Sequence, residues 1–456
     1  MKIFAQDIEE GYFSLTTNNV YIKYKIEKIR YGYKVTGKIK GKLGKIKVLE
    51  IDKPKQKLYI NNWQSWGPFL NEKEFNNIRN TETLRKIGIL TYTPIPEFFT
   101  KYTISDYFIT SKGLLMGFLT SKIGHPFFTI TNDSIEGYIE YFNEVFEEYI
   151  PIEPFVILKD PHMERLLLRY SDLAKIENNI KIKFDNPVGW SSWYQYFLNF
   201  TWSDIVDNLK KAKKMKMPYD VFQIDDGYES DIGDWLLTKD GFPDIYEMAK
   251  IIKTYGFTPG IWIAPLSVSH TSKLFKEHKD WLIKEDGSPK KIYHNWERDI
   301  YALDITNDSV KNWLYNTFST FKKAGFEYFK IDFMFAGATP GQRTKNITPI
   351  QAYREALSII RKAVENSFIL GCGAPLLSSI GFVDGMRVGP DTAPYWNKTC
   401  EPGSVDAYWA LKISIMRWFM HDKWWISDPD CILLRDQDTE LTPSQRELYG
   451  IVSGIL

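Results

Sequence analysis

Two hydrophobic periods divide the chain. Up to about residue 180, apolar side chains recur at every second position. Val20, Ile22, Tyr24 and Ile26 alternate with polar residues, as do Tyr31, Tyr33 and Val35. Such alternation puts one apolar face on an extended strand, so these stretches predict half-buried strands. Gly37, Gly41 and Gly44 punctuate the pattern as turns. Further strand-like runs lie at 106–110, 114–120 and 126–130, and helical spacing is confined to a short stretch around 163–176. Short strands with frequent turns predict an antiparallel β-sandwich domain over residues 1–180.

From about residue 185 the period changes. Short apolar runs at 188–193, 221–225, 258–264, 328–333, 368–373, 385–389 and 424–427 alternate with helical segments. Over 201–217, Thr201 and Asp204 have capping-box spacing, Ile205, Leu209, Ala212 and Met215 form one stripe, and Pro218 follows. Over 308–324, Asp308 is the expected cap, and Val310, Trp313, Leu314, Thr317, Phe318 and Phe321 share a side that stops at Gly325. Strand–helix alternation of this length predicts a parallel (β/α)8 TIM barrel over residues 181–456. Only seven strand runs precede a helix-like stretch at 442–456, whereas closing an eight-stranded barrel takes one more strand between the seventh and the first. The barrel is therefore expected to be incomplete, its last strand truncated.

Composition narrows the function. The 58 basic and 57 acidic side chains give a net charge of +1, so neither nucleic acid nor an anionic membrane is an expected partner. Cys372, Cys400 and Cys431 provide neither a disulfide framework nor metal-ligand spacing. Acidic residues near the N-terminus and the lack of a long apolar stretch predict a cytoplasmic protein. Aromatic residues reach 16%. Most such rings fill cores, and they become chemically informative only beside catalytic groups.

Catalytic groups of a barrel sit at the C-terminal ends of its strands. Those ends carry Trp190, Trp193 and Tyr194; Asp225 and Asp226; Trp262; Lys330 and Asp332; Cys372; Arg387 and Asp391; and Asp428 and Asp430. No histidine ends a strand, which disfavours a Ser–His–Asp hydrolase and a His-based zinc site, and no phosphate-binding glycine motif is present. Carboxylate-pair chemistry remains, and glycoside hydrolysis is its commonest use. Lys330 lies two residues before Asp332 on the same strand face, and a nearby ammonium favours an ionised nucleophile. Asp391 follows the Gly389-Pro390 turn, where a general acid can be presented over the mouth. Each feature also has a plainer reading. Lys330 and Asp332 fit a simple ion pair, Asp225-Asp226 before Gly227 fits a turn, and Asp428-Pro429-Asp430 fits a turn better than a site.

The motifs NNWQSWGP (61–68), GWSSWYQYF (189–197), FQIDDGY (222–228), GIWIAP (260–265), YFKIDF (328–333), GCGAPL (371–376) and MRVGPDTAP (386–394) together resemble the bacterial α-galactosidases of glycoside hydrolase family thirty-six, of the short thermophilic type. The resemblance implies an N-terminal antiparallel β-supersandwich, a (β/α)8 barrel and a C-terminal β-domain, the last of which is expected to be missing here through truncation. It implies retaining hydrolysis of terminal α-galactosides without cofactor or metal, with melibiose, raffinose-type oligosaccharides or galactomannan side chains as substrates. By motif, Asp332 is the implied nucleophile and Asp391 the acid/base. Asp225 and Asp226 are implied to bind the C4 and C6 hydroxyls, and Lys330 and Arg387 to contact the sugar. Trp193, Tyr194 and Trp262 would line the pocket. Cys372 would lie near the C2 substituent, and Trp66, or failing it Trp63, would reach in from the N-terminal domain. A transglycosylase on the same barrel and a non-catalytic carbohydrate-binding fragment are the alternatives. An unclosed barrel is expected to be poorly stable or inactive; full activity with a cooperative melt would refute that.

Overall fold

The computed structural model describes residues 1–78, 93–95, 102–398 and 404–455; Cys400 and Leu456 lie outside them. The N-terminal part is one thirteen-stranded curled antiparallel sheet, sandwich-like in its layering. Its spine is the pair of long strands Gly32–Asp52 and Ser134–Pro151. Register shifts at Gly137/Tyr138, Glu140/Glu144 and Phe146/Ile150 interrupt this pairing, and such irregularities bend a strand and increase its twist. Along Val20–Ile29 the alternation is obeyed: Val20, Ile22, Tyr24 and Ile26 are buried and Tyr21 and Lys23 face out. The run at 106–110 is not one strand. Tyr107 takes a left-handed φ of 67° and separates Thr103–Asp106, which pairs with His125–Ile130, from Phe108–Ser111, which pairs with Leu114–Phe118. Helix Met163–Glu177 follows.

The second part carries a parallel sheet. Its strands are β1 (Gly189–Ser191), β2 (Val221–Ile224), β3 (Thr258–Ile263), β4 (Tyr328–Ile331), β5 (Phe368–Gly371), β6 (Gly385–Arg387) and β7 (Ile426–Asp428). They pair in sequence order. Each begins within one of the seven apolar runs, and only β7 passes the end of its run, by the single residue Asp428. Among the described residues no eighth strand joins β7 to β1, so the sheet is an open half-barrel consistent with an incomplete (β/α)8 barrel. Helix Trp202–Lys214 has the Thr201/Asp204 capping box. Helix Asp308–Ala324 is capped by the Asn307 side chain on the Ser309 N–H, rather than by Asp308, and ends at Gly325 with φ 112°. An insertion after β3 adds a small antiparallel sheet of Ser267–Ser269, Lys291–Asn295 and Arg298–Ala302, which the hydrophobic period did not signal.

The two sheets are joined through the loop 62–67. The Ser65 N–H donates to the Ala374 carbonyl (2.9 Å) and the Leu376 N–H to the Trp63 carbonyl (2.8 Å), just beyond β5. Arg417, wholly buried, completes the junction. Its guanidinium donates to the carbonyls of Ser65 (2.7 Å), Gly67 (2.7 Å) and Val388 (2.9 Å) and to Asn61 Oδ1 (3.1 Å). Burial lowers its proton affinity, to about 9, so it remains charged at neutral pH. Replacing Arg417 by Met strands several buried acceptors, each costing about 1–3 kcal/mol. A fall of roughly 3 kcal/mol or more in urea-unfolding stability is expected; a loss below about 1 kcal/mol would show that water takes over these bonds readily.

Candidate active site

The strand ends converge on buried charge. Asp225 and Asp226 follow β2 and both are buried. Asp225 Oδ2 accepts from Lys330 Nζ (3.0 Å) and Ser191 Oγ (3.3 Å) and is also bound by Gln223 Nε2. Its other oxygen takes the Asp226 N–H at 2.9 Å. Asp226 Oδ2 accepts from the Trp296 indole at 2.7 Å, while its Oδ1 is buried with no hydrogen-bond partner. Burial, then the neighbouring Glu229 carboxyl, raise the Asp226 pKa well above the usual carboxylate range.

Asp332 follows β4. Its Oδ1 accepts from the Phe333 N–H (2.7 Å) and its Oδ2 from the Trp262 indole (3.0 Å), which fixes the carboxylate rotamer. The neighbouring ammonium favours the ionised carboxylate, as the sequence suggested, but it does not dominate. Lys330 Nζ lies 3.9 Å from Asp332 but 3.0 Å from Asp225, so its effect on Asp332 is weakened by the greater distance and opposed by the negative Asp225 beside it. Burial therefore wins and raises the Asp332 pKa, with Asp391 adding to the rise and Lys330 and Trp262 opposing it. Beyond β5, the Cys372 thiol accepts from the Trp66 indole at 3.2 Å, and burial, then Asp332, push its pKa well up.

At β6, Arg387 Nη2 lies 2.9 Å from Asp391 Oδ1 and 2.9 Å from Asp430 Oδ2. The Asp391 side chain is 33% exposed, whereas that of Asp430 is 6% exposed. Asp391 is thus reachable from solvent and Asp430 is not. Burial raises the Asp430 pKa to about 6; Arg387 opposes this, and Asp391 and Asp428 reinforce it. The Tyr194 hydroxyl donates to Asp430 Oδ2. Trp193, which opens the short helix Trp193–Tyr196 that carries Tyr194, is half-buried and packs edge-on against Phe197 at 5.3 Å.

Of the two tryptophans in the N-terminal loop, Trp66 reaches the strand ends: its ring meets Phe333 edge-on at 5.0 Å, besides touching Cys372. Trp63 is fully buried and packs against His125. Sequence reasoning missed Trp296 and Glu229, and set Asp430 aside as a turn. Trp296 sits in the inserted hairpin at a left-handed φ of 51°, outside any apolar run. Glu229 lies three residues past Asp226. Asp430 belongs to a stretch that reads as a turn and is one, at φ 83°, yet its carboxyl points inward. Buried carboxyls with separate donors can exchange protons and bind a polyol, which is what glycoside chemistry needs.

Two family models match the chain: "Alpha-galactosidase, N-terminal" over residues 25–159 and "Melibiase" over residues 156–362. Together they run across more than half of the chain. Among curated proteins, Alpha-galactosidase 1 of Pediococcus pentosaceus is 27% identical over 34% of this chain and 22% of its own length. Alpha-galactosidase AgaA of Geobacillus stearothermophilus is 24% identical over 50% of this chain and 32% of its own. The matched segments thus span a third or less of these relatives. Among solved structures, the Thermus thermophilus α-galactosidase TtGalA in complex with stachyose superposes with a TM-score of 0.77 at 24% identity, covering 98% of this chain and 94% of that one. AgaA of Geobacillus stearothermophilus superposes at 0.59 with 13% identity, covering 96% and 67%. At these identities the likeness is one of fold.

Gly373 tests how tightly the N-terminal loop seats on the site. It has φ 51°, and a Cβ there would lie 3.0 Å from the Trp66 ring and 3.2 Å from the Phe333 Cα. Gly373→Ala is expected to cost about 1–2 kcal/mol from the backbone alone. It should also alter the near-ultraviolet circular dichroism as Trp66 shifts. An unchanged spectrum and melting curve would show that the contact is loose.

Proposed function

The chain belongs to the α-galactosidases of glycoside hydrolase family thirty-six, and from that premise we propose that it is a retaining α-galactosidase with Asp332 as nucleophile and Asp391 as acid/base. The observation that carries this reading is the contrast between the two carboxyls. Asp332 is buried, with both oxygens held by donors; Asp391 is partly open and touches a cation. An Asp332 oxygen attacks the anomeric carbon of an α-galactoside. Asp391 gives its proton to the departing glycosidic oxygen, and a β-galactosyl ester on Asp332 results. Asp391, now ionised, takes a proton from water as that water attacks the same carbon, which releases α-galactose and restores both residues.

Substrate choice follows from the β2 acids. The partnerless buried Oδ1 of Asp226, beside the Lys330-bound Asp225, suits a hydroxyl that is axial in galactose. Glucose would leave that buried group unpaired, which is the costly kind of mismatch. Tyr194, Trp262, Trp66, Cys372 and Arg387 complete the pocket in this reading, and Trp193 lies at its edge. Terminal α-galactosyl groups of melibiose, raffinose-type oligosaccharides and galactomannan side chains are the proposed substrates. We place the domain boundary near residue 180, between helix Met163–Glu177 and β1. We place the protein in the cytoplasm, where the unpaired thiols of Cys372 and Cys431 would persist.

The deciding experiment is Asp332→Gly with added azide. Hydrolysis of a nitrophenyl α-galactoside should fall by at least about 10³-fold, as expected when a covalent nucleophile is lost, and azide should restore turnover as β-galactosyl azide. Ordinary activity in Asp332→Gly would sink the mechanism. Galactose release compared with transfer to sucrose, in the unaltered protein, separates hydrolysis from transglycosylation; binding without turnover would mark a non-catalytic fragment.

A further inference from the structure

The turn that leaves β1 holds a large apolar side chain in a conformation that disfavours it. Phe197, just past the short helix Trp193–Tyr196, has φ 50° and ψ −130°, and it is 51% exposed. Glycine is at ease in this backbone region, whereas a side chain is strained there. The surroundings impose the conformation. The Phe197 N–H donates to the Trp193 carbonyl (2.7 Å) and the Asn199 N–H to the Tyr196 carbonyl (3.0 Å). On one side, Leu198 seats on the loop after β2: a Cβ on Gly227, the residue after Asp226, would lie 3.2 Å from the Leu198 Cα. On the other side, Arg435 Nη1 donates to Gln195 Oε1 at 3.0 Å, and the Tyr194 hydroxyl donates to Asp430 beyond β7. A lone exposed apolar residue is ordinary on a protein surface. One that is held outward at the cost of backbone strain, with no burial in return, points to an occupant.

We propose that Phe197 is a platform for the leaving group: the sugar ring joined through the scissile oxygen lays its apolar C–H face on the Phe197 ring. The inference rests on the reading of the chain as an α-galactosidase with Asp391 as acid/base. The glycosidic oxygen departs toward Asp391, so the sugar it carries lies outward of that partly open carboxyl. The segment that ends in Phe197 borders this opening, because Tyr194 is tied to Asp430, and Asp430 shares Arg387 with Asp391. Trp193 stands edge-on to Phe197, with 81° between the rings, so aromatic surface continues from the pocket edge out to Phe197. A phenyl ring makes no directional hydrogen bond to a hydroxyl. The platform therefore takes pyranose leaving groups without reading their stereochemistry, the glucose of raffinose and the mannose of a galactomannan alike. Contact with a part of the substrate that does not react can be used to lower the barrier at the part that does.

The test compares kcat/KM for raffinose with kcat/KM for α-galactosyl fluoride, whose leaving group has no ring. A nitrophenyl galactoside is unsuitable as the reference, because its own ring would stack on Phe197. The ratio of raffinose to fluoride should fall about tenfold in Phe197→Gly, the loss expected when one apolar face is no longer covered. Phe197→Tyr keeps the ring and should keep the ratio. Phe197→Gly should also melt no lower than the unaltered protein, because glycine relieves the strain. A Phe197 that serves packing alone would give the reverse, a lower melting temperature with an unmoved ratio, and that result overturns the proposal. If Phe197→Gly does not fold, Phe197→Asn decides by the same ratio, since asparagine tolerates positive φ better than most residues. An unaltered protein that does not hydrolyse the fluoride overturns the parent reading and this inference with it. An active protein whose ratio is unmoved in the variants overturns this inference alone.

Discussion

The buried guanidinium of Arg417 is the constraint on which the site's geometry depends. It carries a full charge with no carboxylate among its hydrogen-bond partners, so its desolvation is offset only by well-placed neutral acceptors. Three of those belong to the N-terminal sheet's 61–67 stretch and one, the Val388 carbonyl, lies between Arg387 and Asp391. A single cation therefore sets the position of the loop that carries Trp66 and of the turn that carries Asp391. Because the acceptors lose the bond if they move, neither segment can drift without leaving the charge unsatisfied. The backbone bonds from Ser65 to Ala374 and from Leu376 to Trp63 add the third member, the turn after β5.

Within the site, charge is arranged in two bridged units. Lys330 lies between Asp225 and Asp332, and Arg387 between Asp391 and Asp430. Sharing weakens the hold of each cation on either acid, and burial then raises the carboxyls, as at Asp332 and Asp430. Buried acids with elevated proton affinity are poor contributors to stability and useful for proton transfer, which is how perturbed groups come to collect at functional sites. The indole donors of Trp262 and Trp296 serve this arrangement well, since they orient a carboxylate without adding charge.

The seven parallel strands were legible because each is a short apolar run between helices, and helix Trp202–Lys214 because Thr201 and Asp204 have the spacing of its cap. Asn307, not Asp308, caps the helix Asp308–Ala324, since two adjacent polar residues can both accept there and sequence does not rank them. The split at Tyr107 was hidden because Tyr107, Phe108 and Ile109 form one unbroken apolar run, which carries no mark of a left-handed residue within it. Among site residues, Asp332, Asp391, Asp225 and Asp226 stand at strand ends and could be read as such. Trp296 comes from an insertion with no periodicity, and Asp430 from a turn whose sequence says nothing about which way its carboxyl faces.

The sequence by itself determined the order of strands and helices, the family to which its motifs point, and the residue types available at each strand end. Those depend on local periodicity and on neighbours a few positions apart. Tertiary structure alone decided which cation serves which carboxylate. Lys330 and Asp332 are two residues apart, yet the ammonium lies closer to Asp225, 105 residues away in the chain. Electrostatic fields depend on distance through space and on burial, and neither is fixed until the strands pack side by side.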